Sequence, residues 1–502
     1  MIQENGVGRS LRISNFNTGT TTSTTELGAS NTFTGGLLIG RNAIVSITNS
    51  GALNSTAGSE NAVDFDNYAF STGAAGSYLQ LNGNSIAISK LTNSGTTYSS
   101  TVWNNSATTA ATLTVGNSLN LTGTFGGVLT DGTVASVKSL GLTKAGTGAF
   151  TLTGNNTYTG ATTINSGTLA LGAGGSIASS GTLVVGSAGS SGAVLDTQAL
   201  SGFTVGSTQT LKGKGTVNVG TGKALTVNGI LAPGNSIGTL NVTGNYIFGS
   251  TSTYQVEMDA SSSDLIAISG TATINSSAAI TFTGATGLGK YTLATASGGG
   301  FDGVNKFTGS APTDYRLFYS GTSLDLTHKA TIGTISATPT ASAIIIGGTT
   351  AVSVTVGNSA PTNSSDLAFT ATAGGNMTGS ATGSAVAGNS GMGSGLKFTS
   401  NTVGLAQSGT FTITDANATN SGQASTVSVD VLGHSNAALA IASGNHQTII
   451  TGGSLGTVSL NLTNAGTTIA GLDVSTLSNL SGASGANVVA AGGTATYTAS
   501  GF

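Results

Sequence analysis

The chain has 502 residues, of which 79 are glycine, only 6% are charged and none is cysteine, and its net charge is −3. Its few scattered Lys and Arg side chains exclude the basic surface that nucleic-acid binding needs, and the missing thiols exclude disulfides and thiolate metal sites. Scarce proline and the lack of a three-residue glycine period exclude collagen.

The N-terminal residues, 1–13, lack the basic segment and the apolar run of a secretory signal. No stretch of the chain approaches the ~20 apolar residues of a membrane span. Because the composition fits a cytosolic enzyme poorly, we expect an internal piece of a longer exported protein.

Residues 1–139 are predicted to form an irregular β-solenoid, since short segments alternate apolar with polar residues and so bury one face. The predicted strands are residues 37–40, 43–48, 78–82, 85–89, 111–115 and 118–122. Gly, Asn and Ser turns separate them, and no helical stripe is present.

Residues 140–328 repeat a tighter pattern of a glycine, a β-former, an apolar residue, any residue and a second apolar residue. This cassette begins at Gly167, Gly181, Gly215 and Gly238. The two apolar positions should point to the same side, and the glycine should permit a tight corner. Stacked coils with a common core are therefore predicted.

Two segments carry a family resemblance. Residues 142–171, a dense run of short strands and Gly/Asn turns, resemble the autotransporter-associated β-strand repeat of bacterial surface proteins. Residues 229–244, with 252–259 and 263–274, resemble the late passenger region of autotransporters. The resemblance implies an exported passenger, although the amphipathic strands of a translocating barrel do not follow.

From residue 329 the predicted strands lengthen. Residues 329–440 are predicted to form an immunoglobulin-like β-sandwich, with strands at residues 343–346, 350–356, 367–372, 409–414 and 425–431. Residues 347–360 align with residues 452–465, at about the size of one such sandwich. We therefore expect an incomplete second sandwich over 441–502.

Three groups of carboxylates and histidines could carry chemistry. Asp64 and Asp66, with Glu60 upstream, could serve a polysaccharide lyase or hydrolase, but no Lys, Arg or His lies within twenty residues of the two aspartates. Glu257, Asp259 and Asp264 could hold a hard cation, although a structural turn suits them better. His328, His434 and His446 are too far apart in sequence to suggest a catalytic triad.

Two other features favour structure over binding. The glycine runs 172–175 and 298–300 lack the Lys-Ser/Thr of a phosphate loop and are predicted to be turns. Trp103, the only tryptophan, could stack on a sugar, but packing is the commoner role of a single strand aromatic.

The sequence therefore predicts an all-β protein, with a right-handed parallel β-helix followed by immunoglobulin-like β-sandwich domains. We expect a non-enzymatic structural or adhesive segment at the bacterial surface, without catalytic, cofactor or metal residues. Surface glycans, neighbouring cells or matrix are its expected partners. The alternative is a carbohydrate-active β-helix enzyme.

Overall fold

The computed structural model describes residues 8–15, 21–54, 56, 58–66, 76–94, 99–116, 120–187, 192–434, 437–443, 458–464, 472–473, 488–489 and 493–499. All secondary-structure elements in these ranges are β-strands, and no helix there is long and apolar enough to span a membrane. The chain divides into two compact units, Met1–Thr327 and His328–Phe502.

The strands of the first unit are short and separated by turns. In chain order they are β1 (Leu11–Ile13), β2 (Ser23–Leu27), β3 (Leu37–Ile39), β4 (Ala43–Ile47), β5 (Ala62–Phe65), β6 (Ser77–Gln80), β7 (Ile86–Ile88), β8 (Lys90–Asn93), β9 (Ser100–Trp103), β10 (Ala111–Val115), β11 (Gly123–Phe125), β12 (Val128–Thr130), β13 (Leu140–Lys144), β14 (Ala149–Leu152), β15 (Thr162–Ile164) and β16 (Thr168–Leu171).

They continue with β17 (Thr182–Val185), β18 (Val194–Asp196), β19 (Phe203–Val205), β20 (Thr210–Gly213), β21 (Thr216–Asn218), β22 (Ala224–Val227), β23 (Ile230–Pro233), β24 (Thr239–Thr243), β25 (Asn245–Phe248), β26 (Thr253–Met258), β27 (Leu265–Ile268), β28 (Ala272–Ile274), β29 (Ala279–Gly284), β30 (Lys290–Ala296), β31 (Tyr315–Tyr319) and β32 (Ser323–His328).

Strands of successive coils pair side by side in parallel as far as β30, which pairs antiparallel with β32. One nine-stranded sheet runs β7-β10-β13-β15-β17-β20-β23-β26-β29, and a ten-stranded sheet runs β11-β14-β16-β18-β21-β24-β27-β30-β32-β31. Smaller sheets, β1-β3-β5-β8, β2-β4-β6-β9-β12 and β19-β22-β25-β28, complete the coils. Because consecutive strands such as β24, β25 and β26 belong to three different sheets, the unit is a parallel β-solenoid.

The cassettes place their paired apolar residues as predicted. Both apolar positions are buried in every cassette: Leu169 and Leu171, Leu183 and Val185, Val217 and Val219, Leu240 and Val242. All of them belong to one hydrophobic cluster that runs through the unit from Leu27 to Leu326. Stacked side chains of neighbouring coils therefore form a single continuous core.

The cassette glycines serve two different purposes. Gly167 has a φ of +65°, which only glycine adopts at low cost. Gly215 does not have a positive φ, but a Cβ there would lie 2.5 Å from the carbonyl oxygen of Ala193 on the preceding coil. The tight corner that the sequence predicts is thus confirmed at Gly167, whereas close approach of two backbones requires glycine at 215.

One predicted strand is wrong and five are confirmed. Strands occupy most of residues 37–40, 43–48, 78–82, 85–89 and 111–115. Of the segment 118–122, residues 118 and 119 lie outside the described residues, and 120–122 are not a strand. The chain turns at Asn120, which has a φ of +53° and accepts a hydrogen bond from Thr147 N through Oδ1.

The second unit begins with a largely antiparallel sheet. Its strands are β33 (Ile332–Pro339), β34 (Ala343–Ile345), β35 (Thr349–Asn358), β36 (Leu367–Gly375), β37 (Met377–Thr378), β38 (Ser380–Ala385), β39 (Ser390–Thr399), β40 (Gly404–Thr414) and β41 (Gln423–Leu432). The sheet order is β33-β35-β39-β38-β36-β40-β41-β34, with β37 beside β39, and only β34 pairs in parallel. The five strands predicted in this region are confirmed.

A smaller sheet follows in the second unit. Strands β42 (Ala437–Ser443), β43 (Val458–Asn464) and β46 (Thr494–Ala499) pair antiparallel in the order β42-β43-β46. The short strands β44 (Leu472–Asp473) and β45 (Val488–Val489) pair with each other. In β42-β43-β46, as in β33-β35-β39, the strands are arranged in chain order and each pairs antiparallel with the next.

A buried lysine closes one corner of the solenoid. The side chain of Lys144, at the end of β13, is fully buried, and its Nζ donates to the carbonyl oxygens of Ala145 (2.6 Å), Gly146 (2.8 Å) and Ser166 (3.3 Å). Burial lowers the pKa of Lys144 to about 8, so the amine is still mostly protonated at pH 7. Its three donors bind two successive turns together.

We predict that Lys144→Met lowers the free energy of unfolding by about 1–3 kcal/mol, because three carbonyl groups lose their donor. Urea denaturation followed by circular dichroism measures the change. Lys306→Met is the matched control, since Lys306 is exposed, and it should leave the midpoint unchanged. An unchanged or higher midpoint for Lys144→Met would show that desolvation of the ammonium outweighs its hydrogen bonds.

Candidate functional site

The two aspartates of the first acidic group form bonds between coils, whereas Glu60 bonds locally. Both carboxylate oxygens of Asp64 accept hydrogen bonds, from Thr92 Oγ1 at 2.7 Å and Ser94 Oγ at 2.8 Å. Asp66 forms an ion pair with Arg12 at 2.9 Å. Glu60 is buried and accepts a hydrogen bond from Gly58 N.

Arg12 is the basic residue that the local sequence does not reveal. It lies on β1, and the parallel register aligns it with Leu38 and then Asp64 on the next two coils. The carboxylates of Asp64 and Asp66 are thereby used to bind neighbouring coils.

Trp103 packs against an aromatic neighbour. Its ring stacks on Tyr78 of the preceding coil, with centroids 4.7 Å apart and planes at 22°. The side chain is partly buried, and its Nε1 is buried without a hydrogen-bond partner. One ring face is therefore covered by Tyr78 and is not available to a sugar.

The two described histidines have separate surroundings, and the glycine runs form turns. The Nδ1 of His328 is 2.6 Å from the carbonyl oxygen of Lys329, His434 is exposed, and His446 lies outside the described residues. The runs 172–175 and 298–300 form turns, as predicted, with positive φ at Gly174, Gly299 and Gly300.

A polar groove opens on the nine-stranded sheet where β23 ends. Its volume is about 210 Å³, and we name it the Pro233 groove. It is lined by Lys212, Ala232, Pro233, Gly234, Asn235, Ser236, Gln255, Glu257, Asp264 and Thr283. Two residues of the second acidic group, Glu257 and Asp264, thus line one cavity.

The groove forms because β23 stops before its neighbour β26 does. Proline has no backbone N–H and ends the pairing at Pro233, and Gly234 turns the chain away with a φ of +87°. The turned segment then bonds back to β20, where Gly213 and Gly234 exchange N–H and C=O hydrogen bonds at 3.0 and 2.8 Å. The last residues of β26 therefore lack a strand on that side.

Asp264 takes the place of the missing strand. Thr253 N donates to Gly229 O, so every second residue of β26, including Glu257, faces the same edge. There Glu257 N donates to Asp264 Oδ2 at 2.9 Å, and Glu257 O accepts from Asp264 N at 2.8 Å. Asp264 Oδ1 also accepts from Gly238 N at 2.9 Å.

The buried position of Asp264 alters its acidity. The side chain is only 2% exposed, and burial raises its pKa to about 6, against the opposing effect of the backbone donors Glu257 N and Gly238 N. The pKa of Asp259 is shifted in the opposite direction. Ser261 and Ser262 donate four hydrogen bonds to its Oδ1 and lower its pKa.

These carboxylates are not arranged as a metal centre. In the part of the chain that the structure describes, no three His, Asp or Glu residues come together to hold an ion. Asp259 is engaged in its own turn, and both oxygens of Asp264 accept backbone hydrogen bonds. The arrangement can instead stabilise the end of a strand.

Comparison with known proteins agrees with the topology. Residues 142–171 match the family model of the passenger-associated transport repeat. The chain is also similar to an extracellular serine protease of Serratia marcescens, with 38% identity over 128 residues, which are 25% of this chain and 10% of that relative. The chain therefore matches about a tenth of that relative's length. The predicted resemblance to autotransporter passengers is confirmed.

We predict that Asp264 makes the fold more stable as the pH falls from 7 to 5. Its pKa in the folded chain, about 6, exceeds the ordinary value of 3.8, so the folded state binds the proton more tightly. Relative to Asp264→Asn, the wild type should gain about 1 kcal/mol over this interval.

Urea denaturation at pH 5, 6 and 7 measures this difference. Asp259→Asn is the control, because the lowered pKa of Asp259 places its titration below pH 5. Parallel pH profiles for the wild type and Asp264→Asn would contradict the prediction.

Proposed function

We propose that this chain is a non-enzymatic structural and adhesive segment of an exported surface protein. In this proposal, the first unit is a right-handed β-solenoid that serves as a stalk. The second unit contains an immunoglobulin-like β-sandwich and part of another, which serve as spacers or display modules.

The observation that carries the proposal is the unbroken core beneath a continuous parallel ladder. One hydrophobic cluster extends over the coils of the first unit, and the strand pairs keep their register from coil to coil. Polar groups at the coil edges, such as Asp64, Asp66, Lys144 and Asp264, hold these coils together. Such an arrangement suits mechanical support better than catalysis.

Export is supported by the relatives. The matched repeat is named for passenger transport, and the Serratia marcescens relative is named as extracellular. A chain without cysteine also has no thiols to cross-link before it folds.

The internal repeat supports the sandwich assignment. The sheet β42-β43-β46 repeats the order of β33-β35-β39, and the segments 347–360 and 452–465 that align in sequence contain parts of β35 and β43. We infer that the second unit begins a second copy of one module.

Adhesion is proposed to use the uncharged outer faces of the sheets. Thr114, Thr143 and Thr163 are aligned in register on three successive coils of the nine-stranded sheet, and each is partly exposed. Such rows of hydroxyl groups suit weak, multivalent contacts with glycans or with neighbouring cells.

One observation favours the enzyme alternative. Glu257 and Asp264 line the same groove, and a carboxyl group with a pKa of about 6 suits a general acid. Against this, both oxygens of Asp264 accept hydrogen bonds from backbone N–H groups, so its carboxyl group already has a structural role.

We predict that beads coated with the full chain adhere to a polysaccharide matrix without cleaving it. Bead retention under flow measures adhesion, and released reducing ends measure hydrolysis. Glu257→Gln is the comparison variant for hydrolysis, because it removes the carboxylate that the enzyme alternative needs beside Asp264. Reducing ends released by the wild type but not by Glu257→Gln would instead establish the enzyme, and absent retention would contradict adhesion.

A further inference from the structure

The Pro233 groove contains polar side chains that the fold does not use. In the described part of the chain, the side chains of Lys212, Gln255 and Glu257 make no hydrogen bond or ion pair. Asp264 differs, because it bonds to two backbone N–H groups. A cation, an amide and a carboxylate are thus available within one cavity.

The register of the sheet places these groups on opposite sides of the groove. Lys212 lies on β20, opposite Ala232 of β23, whereas Gln255 and Glu257 lie on β26 beyond it. Strands are about 4.8 Å apart, so the two sides are about 10 Å apart at the backbone. The small side chain of Ala232, on the outer face of β23, leaves the space between them open.

The size of the groove limits its ligand. Its volume of about 210 Å³ is below the roughly 300–1,000 Å³ of pockets for drug-sized molecules. The groove therefore suits one monomer unit of a longer chain, whose other units can continue along the open surface.

The charges of the groove favour a neutral ligand with many hydroxyl groups. The groove holds charges of both signs, since Lys212 faces the carboxylates of Glu257 and Asp264, the second of which is mostly ionised at pH 7. An anion would be repelled by the two carboxylates and a cation by Lys212. A hydroxyl group both donates and accepts, so it can accept from Lys212 Nζ, donate to Glu257, and bond either end of the Gln255 amide.

We propose that the Pro233 groove binds one neutral pyranose unit of a glycan chain. The inference deepens the proposed adhesive function, on which it rests, by naming a localised site and its ligand. Asp264 is a positioning residue here: it holds the end of β26, and with it Glu257, at the wall of the groove.

Saturation-transfer NMR on the full chain tests the proposal, with cellohexaose and maltohexaose as neutral probes and trigalacturonate as the charged probe. At least one neutral hexaose should receive saturation. The double variant Lys212→Ala/Glu257→Ala should weaken its binding by about tenfold or more, as expected for two lost charge-assisted hydrogen bonds.

The matched control is Lys306→Ala/Glu26→Ala, which removes one exposed lysine and one exposed glutamate elsewhere on the first unit. It should bind as the wild type does, and circular dichroism should show that both double variants fold. Gln255→Ala should weaken binding by a smaller factor.

Three outcomes would overturn the groove as a pyranose site: no saturation of either neutral hexaose, saturation of trigalacturonate alone, or equal binding by the wild type and the Lys212→Ala/Glu257→Ala variant. The adhesion assay distinguishes this failure from failure of the proposed function. Beads that adhere while the groove binds no hexaose would assign adhesion to other surfaces of the chain.

Discussion

The parallel backbone ladder is the constraint on which this protein depends. Each coil of the first unit must supply partners for the N–H and C=O groups of the next, because buried backbone groups are costly when unpaired. Where a strand continues, the next strand meets this need. Where a strand ends, a side chain supplies the hydrogen-bond partner instead. The Asp264 carboxylate accepts from Glu257 N beyond Pro233. Lys144 Nζ donates to three carbonyl oxygens at a corner. Asn156 does the same, donating to Gly154 O and Ser176 O and accepting from Leu129 N.

This use of polar residues links the composition to the function. With only 6% charged residues in the chain, ionisable groups that bind neighbouring coils, such as Asp64, Asp66 and Lys144, are no longer free to act on a ligand. The Pro233 groove differs because Lys212, Gln255 and Glu257 face a gap left by a strand that ends early. A scaffold whose polar groups mostly serve the ladder can therefore still hold a local binding site.

The alternation of apolar and polar residues predicted most strands, because it indicates which face of a strand is buried. The positions of glycine predicted the turns between them. The cassette residues such as Leu169 and Leu171 are buried as expected. Contacts between coils were not predictable in this way, since the number of residues in a coil varies and Arg12 is far from Asp66 in sequence. Strands β38 and β39 were also missed, because their glycines interrupt the alternation of apolar and polar residues. Close packing requires some of these glycines: at Gly383 a Cβ would lie 2.5 Å from the ring of Phe369. The groove depends on Pro233, whose effect on β26 appears only when the neighbouring coils are in place.

The reversal of direction at the end of the ten-stranded sheet has a consequence for length control. Strand β32 pairs antiparallel with β30, and the buried carboxylate of Asp325 on β32 pairs with Lys290 on β30 at 3.0 Å. A repeat that offers a parallel edge can accept another copy of itself without limit, and so can the repeats of a second molecule. On this sheet the edge of β30 is covered by the antiparallel strand β32, and β31 follows as the last strand. The next coil of the repeat therefore has no place beside β30, and the edge of the parallel ladder is protected there from pairing with a second molecule.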